Sequence, residues 1–180
     1  MAGSERSDRC VLLTGPMGAG KSRVGRALAA RLGWKFVDTD VLVEKAAGMK
    51  IAEIFAREGE AGFRKRERAV LEVLPTGGCV IALGGGAVVS QENREVLREK
   101  GTLMWLDARP ETLAERIGEA AQRPLLAGLD REARIAKLRA LRESREAAYG
   151  TAEHRIETDA RGVDEVCAAV LAALGAGAAS

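Results

Sequence analysis

The stretch Gly15–Ser22, GPMGAGKS, constrains the fold of this chain more than any other. Two glycines five positions apart are followed by Lys21 and Ser22, after the apolar run Cys10–Leu13 and before a helical pattern at 22–32. A strand, a glycine-rich turn and a helix in this order are typical of a phosphate-binding loop. The sequence therefore predicts an α/β fold that binds a nucleotide; the alternative is a glycine-rich turn without a ligand.

Each residue type in this loop has a chemical reason. Gly15, Gly18 and Gly20 lack Cβ atoms, so the backbone can turn tightly and direct N–H groups at phosphate oxygens, beside the positive end of the following helix. Lys21 places a cation at the β- and γ-phosphates, and Ser22 offers a hydroxyl to Mg²⁺. The predicted nucleotide-binding loop also includes Pro16, Met17 and Ala19.

Length and charge limit the possible functions. The 180 residues are predicted to form one domain, 1–180. The net charge of +2 comes from interspersed basic and acidic residues, which argues against nucleic acid as a partner. Three widely separated cysteines indicate reduced core thiols, and a single histidine cannot anchor a zinc cluster. Without an apolar run of membrane-spanning or signal-peptide type, we expect a cytoplasmic monomer that does not bind membranes.

Short apolar runs alternate with longer helical patterns, which is typical of a parallel sheet with helices on both faces. The predicted strands are 10–14, 35–37, 80–83, 103–106 and 154–157. The predicted helices are 22–32, 41–47, 51–57, 60–74, 91–99, 111–118, 130–149 and 163–174. Ligands of such sheets bind at the carboxyl ends of the strands, where the loop, Asp38–Asp40 and Gly84–Gly86 all fall.

Two carboxylates follow the second predicted strand, at Asp38 and Asp40. Facing the phosphate loop, they could divide the work of holding hydrated Mg²⁺ and accepting a hydroxyl proton. Alternatively, one of them is only the N-cap of the next helix.

Two further motifs point to an acceptor pocket. Arg64 adjoins the predicted core residue Phe63 and has Glu67 at i+3 to hold its guanidinium, although a surface ion pair is the alternative. Gly84–Gly86 follows a buried-looking run, and three successive glycines are costly unless the backbone approaches a ligand closely. A plain turn is the alternative there.

The segment 118–130 breaks helical periodicity and carries Arg123, as a mobile lid over a nucleotide would. An ordinary polar loop is the alternative. More arginines lie beside this segment or on the helix after it, and the residue pattern alone does not say which of them act: Arg116, Arg139, Arg142 and Arg145.

The ordered motifs of this chain resemble those of the shikimate kinase family, across roughly Val11 to Leu174. They are GPMGAGKS, DTD at 38–40, GEAGFRKRE at 59–67, LGGGAV at 83–88, RPLL at 123–126 and REAAY at 145–149. The resemblance implies a five-stranded parallel sheet of the nucleoside monophosphate kinase type with a mobile lid. It also implies transfer of the ATP γ-phosphate to the 3-hydroxyl of shikimate.

The resemblance implies a role for each matching residue on the nucleotide side. Lys21 and the loop amides would hold phosphates, Ser22 would ligate Mg²⁺ directly, and Asp38 would hold the metal through water. Arg123 would reach from the lid to the phosphates, and Arg116 would stack on adenine. The implied catalytic residues are Asp40, Lys21 and Arg123.

On the acceptor side, the resemblance makes Asp40 the base that binds the hydroxyl, and Arg64 and Arg145 the ligands of the shikimate carboxylate. The implied acceptor-binding residues are Asp40, Arg64, Gly84, Gly85, Gly86 and Arg145. One departure from the family is GTAEH after Tyr149, which puts local packing in doubt. The alternatives are a P-loop kinase for another small hydroxy acid such as gluconate, and a nucleotide-binding regulator that has lost catalysis.

Overall fold

The computed structural model of the chain describes residues 9–118, 126 and 128–176. The strands in this part of the chain are β1 Cys10–Thr14, β2 Lys35–Asp38, β3 Cys79–Ala82, β4 Gly101–Asp107 and β5 His154–Glu157. The helices are α1 Lys21–Leu32, α2 Thr39–Ala47, α3 Ile51–Glu72, α4 Gln91–Lys100, α5 Pro110–Ile117, α6 Arg131–Glu143, α7 Glu146–Tyr149 and α8 Val163–Ala176.

The five strands form one parallel sheet in the order β2-β3-β1-β4-β5, which confirms the predicted fold class. β1 is the central strand, with Leu13 opposite Ala82 of β3 and Met104 of β4. The carboxyl ends of these strands therefore meet at one edge. This edge places the phosphate loop between the residues that follow β3 and those that follow β4.

Side chains of the sheet alternate between two cores. Leu13 and Met104 pack on one face with residues of α1, α5 and α8, and Leu12 and Ile81 pack on the other with residues of α3 and α4. All four side chains are fully buried. Both faces of the sheet are thus covered, which is why its central strands are apolar without alternation.

The predicted helices 51–57 and 60–74 are joined in α3, which ends at Glu72 rather than 74. The join is a kink at Gly59, where φ is 69° and ψ is −173°, far from helical values. This backbone region is open almost only to glycine. The predicted gap between two helices is therefore a single non-helical residue.

The prediction of one helix over 130–149 is wrong, because the structure divides it into α6 and α7. The helix tightens at the junction, where the Arg145 amide donates to the carbonyl of Arg142, three residues back. The Ser144 hydroxyl donates to the Leu141 carbonyl at 3.0 Å and so competes with the helical hydrogen bonds. These local bonds end α6 before Arg145.

Among the strands, β4 differs most from its prediction of 103–106, since it begins at Gly101 and ends at Asp107. Gly101 lies so close to β1 that a Cβ atom there would be 2.2 Å from the carbonyl oxygen of Cys10. Glycine is required by this close approach, whereas in sequence it suggests a strand end. The remaining boundaries differ from their predictions by at most two residues.

Other expectations concern the cysteines and membranes. Cys10, Cys79 and Cys167 are free and buried, as predicted. Burial raises the pKa of the Cys10 thiol to about 11, which makes it unreactive near neutral pH. Over the described ranges, every helix is too short or too polar to cross a membrane.

The segment after Tyr149 packs normally, since Ala152 lies against the core and Glu153 accepts a hydrogen bond from the Leu103 amide at 2.8 Å.

Replacement of Gly59 by alanine should lower the free energy of unfolding by about 1–3 kcal/mol, because a side chain strains this backbone conformation. Open space surrounds the position, so a steric clash does not contribute. Urea unfolding of Gly59→Ala measures the loss. Arg57→Ala is the control, an exposed nearby position expected to change stability by less than about 0.5 kcal/mol. Equal stability of Gly59→Ala and the original protein would contradict the prediction.

Candidate active site

The phosphate loop connects β1 to α1 and packs against the end of β4. Gly15 has φ 136°, and a Cβ atom there would lie 2.2 Å from the carbonyl oxygen of Leu106. Gly20 is the N-cap of α1 in a left-handed conformation, and no side chain caps the helix. The N-terminal end of α1 is therefore not closed by a capping side chain, as is typical where a helix end binds a phosphate.

A pocket of about 550 Å³ lies over this loop. Met17–Ser22 line it, together with Asp38 and Asp40, whereas Gly15 and Pro16 are buried behind it. The Lys21 ammonium donates to the carbonyl oxygens of Gly15 and Pro16, at 2.8 and 3.0 Å. Of the loop residues predicted to bind the nucleotide, Met17–Ser22 thus form one wall of the pocket, and Gly15 and Pro16 lie behind that wall.

Asp38 joins the loop to the second carboxylate. Its Oδ2 accepts a hydrogen bond from the Ser22 hydroxyl at 2.7 Å, and its Oδ1 accepts one from the Asp40 amide at 3.1 Å. Asp38 is therefore the N-cap of α2, as the alternative interpretation predicted, and it also contacts the loop, while its part in holding Mg²⁺ stays a prediction. Among the described residues, no group of three or more His, Cys, Asp or Glu side chains is placed to hold a metal ion.

The triple glycine lies against side chains that the sequence predicted to bind the acceptor. A Cβ atom on Gly84 would be 2.7 Å from Oδ1 of Asp40, and one on Gly86 would be 2.7 Å from both Nη atoms of Arg64. Gly85 accepts a hydrogen bond from Nη1 of Arg145 at 3.2 Å. The close approach expected at these glycines is present, although protein side chains make it in this structure.

Arg64 and Arg145 reach the glycines from different helical segments. Arg64 on α3 donates to Glu67 at 2.9 Å, as the i+3 spacing predicted, and to Glu60 at 3.1 Å. Arg145 lies at the junction of α6 and α7, as the N-cap residue of α7. Two guanidinium groups and the carboxylate of Asp40 thus border one half of the site.

Glu67 is a site residue that the sequence suggested only as the partner of Arg64. Its side chain is 2 % exposed, and its Oε1 has no hydrogen-bond partner within the described residues. Burial raises the pKa of this carboxyl, and the nearby charge of Asp40 raises it further, while Arg64 and Arg145 lower it. Glu67 therefore lies beneath the acceptor half as a buried counter-charge. Its i+3 spacing was visible in the sequence, but its burial was not.

Arg116 lies at the opposite end of the pocket. Its guanidinium donates to the hydroxyl of Thr158 at 2.8 Å and to the carbonyl of the same residue. Arg161 lines this end as well and was missed by the sequence reasoning, although its place just after β5 could have indicated it.

The structure describes two of the three remaining arginines that were named from the sequence. Arg123, with the RPL part of its motif, falls outside the described residues. Arg139 pairs with Glu111 on the surface, and Arg142 pairs with Asp107 behind the site.

The family model and the curated relatives that the chain resembles agree on one family. The chain matches the family model for shikimate kinase over residues 17–175. It is 51% identical to a shikimate kinase of Symbiobacterium thermophilum, over 89% of this chain and 93% of that protein. A shikimate kinase of Caldanaerobacter subterraneus subsp. tengcongensis is 44% identical, over 91% of this chain and 94% of that protein.

Solved structures agree with the sequence matches. A shikimate kinase from Acinetobacter baumannii in complex with shikimate has a TM-score of 0.88 and 37% identity, and the match covers 96% of each chain. A gluconokinase from Sinorhizobium meliloti 1021 covers 95% of this chain and 94% of its own, but at a TM-score of 0.55 and 19% identity it shares the fold alone. The parallel sheet, the phosphate loop and these relatives agree, and the chain belongs to the shikimate kinase family as an ATP-dependent kinase.

Proposed function

We propose that this site transfers the γ-phosphate of ATP to the 3-hydroxyl of shikimate, giving shikimate 3-phosphate and ADP. The main support is the convergence of Asp40, Arg64 and Arg145 on Gly84–Gly86, next to the phosphate loop. The loop is suited to a nucleotide donor, and the second cluster is suited to a small polar acid. The relative from Acinetobacter baumannii was solved in complex with shikimate, which supports shikimate as the acceptor.

In this proposal, the acceptor carboxylate binds between Arg64 and Arg145. A planar guanidinium offers two parallel N–H donors, so it matches a carboxylate in geometry as well as in charge. Glu67 holds Arg64 from below, through the 2.9 Å bond described above. Glu67 therefore sets the direction of the guanidinium while the carboxylate of the substrate takes its outer edge.

Asp40 is then the base. Its position beside Gly84 places a carboxylate oxygen at the acceptor half and along the wall of the nucleotide pocket. As the acceptor oxygen attacks the phosphorus atom, its proton passes to Asp40. Phosphoryl transfer needs positioning and charge neutralisation more than covalent catalysis, so one well-placed carboxylate suffices.

Charge on the transferred phosphoryl group is balanced by cations of the chain. Lys21 and the loop amides hold the β- and γ-phosphates, and Arg123 approaches from the predicted lid. Arg116, at the far end of the pocket, is the proposed contact for adenine. This arrangement assigns the nucleotide to Gly15–Ser22 and the end of the pocket near Thr158.

The residues present also fit a Mg²⁺ ion. Ser22 and Asp38 put a hydroxyl and a carboxylate oxygen 2.7 Å apart at the phosphate loop, and oxygen donors of this kind are the ligands that Mg²⁺ prefers. Ser22 would ligate the ion directly and Asp38 through water. When bound, Mg²⁺ supplies neutralisation of phosphate charge.

We also propose that the enzyme is a single-domain monomer of the cytoplasm. The three buried free thiols support a reducing compartment. Light scattering on the purified protein tests the monomer, because a dimer doubles the measured mass.

The activity is tested by coupling ADP release to NADH oxidation with ATP, Mg²⁺ and shikimate. Shikimate-dependent ADP formation is expected, and its absence would reject the proposed reaction. Gluconate serves as a second acceptor, since equal turnover would favour a kinase of broader acceptor range. Shikimate binding without a phosphorylated product would favour a regulator that has lost catalysis.

Asp40→Asn should lower kcat by about 10²- to 10⁴-fold, because the amide cannot take the hydroxyl proton. The KM for ATP should stay near its original value, since the phosphate loop is untouched. Initial rates at varied shikimate and ATP concentrations measure both constants. An unchanged kcat would refute the role of Asp40 as base.

Arg64→Ala should raise the KM for shikimate by about tenfold to a hundredfold, since a hydrogen bond to a charged group contributes about 1.5–3 kcal/mol. Arg66→Ala is the matched control, because Arg66 lies on the same helix and pairs with Glu58 at the surface. A rise in the KM for ATP instead would mean that Arg64 belongs to the nucleotide half.

Gly86→Ala should raise the KM for shikimate without preventing folding, because the three atoms nearest to the added Cβ belong to the movable end of Arg64. Gly85→Ala should have a smaller effect, since its Cβ would lie 3.5 Å from the nearest atom of Arg145, an ordinary contact distance. Kinetics of both variants, with circular dichroism to confirm folding, make the comparison. A larger effect at Gly85 would contradict this steric account.

A further inference from the structure

A cluster of charges around the buried carboxylate of Asp107 lies behind the acceptor half, at the end of β4. The Asp107 side chain is 5 % exposed and binds two guanidinium groups. Arg142 of α6 donates to both of its oxygens, at 2.9 and 2.8 Å. Arg155 of β5 donates twice to Oδ2, at 3.1 and 2.6 Å. A carboxylate this deeply buried is stable only when it is paired in this way.

Arg142 is three residues before Arg145, so Asp107 anchors the chain one helical turn from the proposed carboxylate ligand. Leu138 is the only buried residue of α6, and the helix also makes polar contacts at the surface, such as that of Arg139 with Glu111. Arg145 itself lies where α6 ends and the backbone is not held by regular helix. The bidentate pair of Arg142 and Asp107 therefore fixes the segment from which Arg145 projects.

The other side of Arg145 is held as well. The Tyr149 hydroxyl donates to the carbonyl of Gly85 at 2.7 Å, and this oxygen also accepts from Arg145. Tyr149 packs against Trp105 with ring centroids 5.7 Å apart. Trp105 in turn lies under the guanidinium groups of Arg142 and Arg155, at 5.7 and 4.6 Å from its ring. Asp107, Trp105 and Tyr149 thus form one continuous support.

The main chain of Asp107 makes separate hydrogen bonds, on the nucleotide side of the site. Its carbonyl oxygen accepts from the amide and the hydroxyl of Thr158, at 2.8 and 3.0 Å. Thr158 binds Arg116 at the nucleotide end of the pocket. The Asp107 side chain therefore serves the acceptor half, and its backbone serves the nucleotide half.

We propose that Asp107 is a positioning residue for the acceptor: by binding Arg142, it places Arg145 against Gly85, where the substrate carboxylate binds. This inference depends on the proposed function, since it assigns Arg145 to the shikimate carboxylate. Asp107 acts only through Arg142 and touches neither substrate. Loss of its charge should therefore affect the KM for shikimate, whereas the backbone bonds to Thr158 persist in any side-chain variant.

The test compares Asp107→Asn, Arg142→Ala and Arg142→Lys in the ADP-release assay, with both substrates varied. Asp107→Asn and Arg142→Ala should raise the KM for shikimate by about tenfold and leave that for ATP within about twofold. Arg142→Lys should have an intermediate effect, because it keeps the charge but loses the fork. Arg139→Ala is the control, since Arg139 lies on the same helix in an exposed pair with Glu111.

A double-mutant cycle separates positioning from general destabilisation. If Arg142 acts through Arg145, Arg142→Ala should change the KM for shikimate by less than about twofold in an Arg145→Ala background. If Arg142→Ala raised the KM for shikimate as much in the Arg145→Ala background as in the original protein, the proposal would be overturned. So would an unchanged KM for shikimate in Asp107→Asn together with a lower unfolding temperature, which indicates a purely structural role.

The outcomes also distinguish this inference from the proposed function. Absence of shikimate-dependent ADP formation in the original protein rejects both. Normal activity in the original protein with unchanged KM values in Asp107→Asn and Arg142→Lys rejects the inference alone. These two conservative variants decide the question if Arg142→Ala does not fold.

Discussion

The site depends on the parallel pairing of β1 with β3 and β4. Because the three strands end at the same edge, the phosphate loop after β1 lies between the glycines after β3 and Asp107 at the end of β4. The loop approaches β4 so closely that only glycine fits at position 15. Donor and acceptor halves are therefore neighbours because of strand order, before any side chain is considered.

In the proposed function, electrostatics divides this edge into a nucleotide half and an acceptor half. The nucleotide half presents backbone amides and Lys21 around an open pocket. The acceptor half presents Arg64 and Arg145, with the buried carboxylates of Glu67 and Asp107 behind them. Glu67 fixes the guanidinium of Arg64, and Asp107 fixes that of Arg142, three residues before Arg145. Rigid arginines are needed here, since phosphoryl transfer depends on positioning.

The sequence predicted what local patterns determine. The strand, loop and helix around Lys21 follow from adjacent residues, and the pairing of Arg64 with Glu67 follows from helical spacing. The division of 130–149 was missed because the helical pattern continues through Arg145, whereas local hydrogen bonds end the helix. The pairing of Asp107 with Arg142 spans 35 residues and depends on how α6 packs, so no sequence spacing reveals it. The burial of Glu67 is likewise a tertiary property.

Gly84 and Gly86 restrict which mutations the proposed acceptor half can tolerate. Every other amino acid has a Cβ atom, and at these two positions that atom meets Asp40, Glu67 or Arg64 within 3.0 Å. Even alanine, the smallest replacement for glycine, would therefore occupy space that one of these side chains uses. The chemical character of the replacing residue matters less than the presence of its Cβ atom. In evolutionary terms, a lineage that changes its acceptor can vary the side chains around these glycines more easily than the glycines themselves.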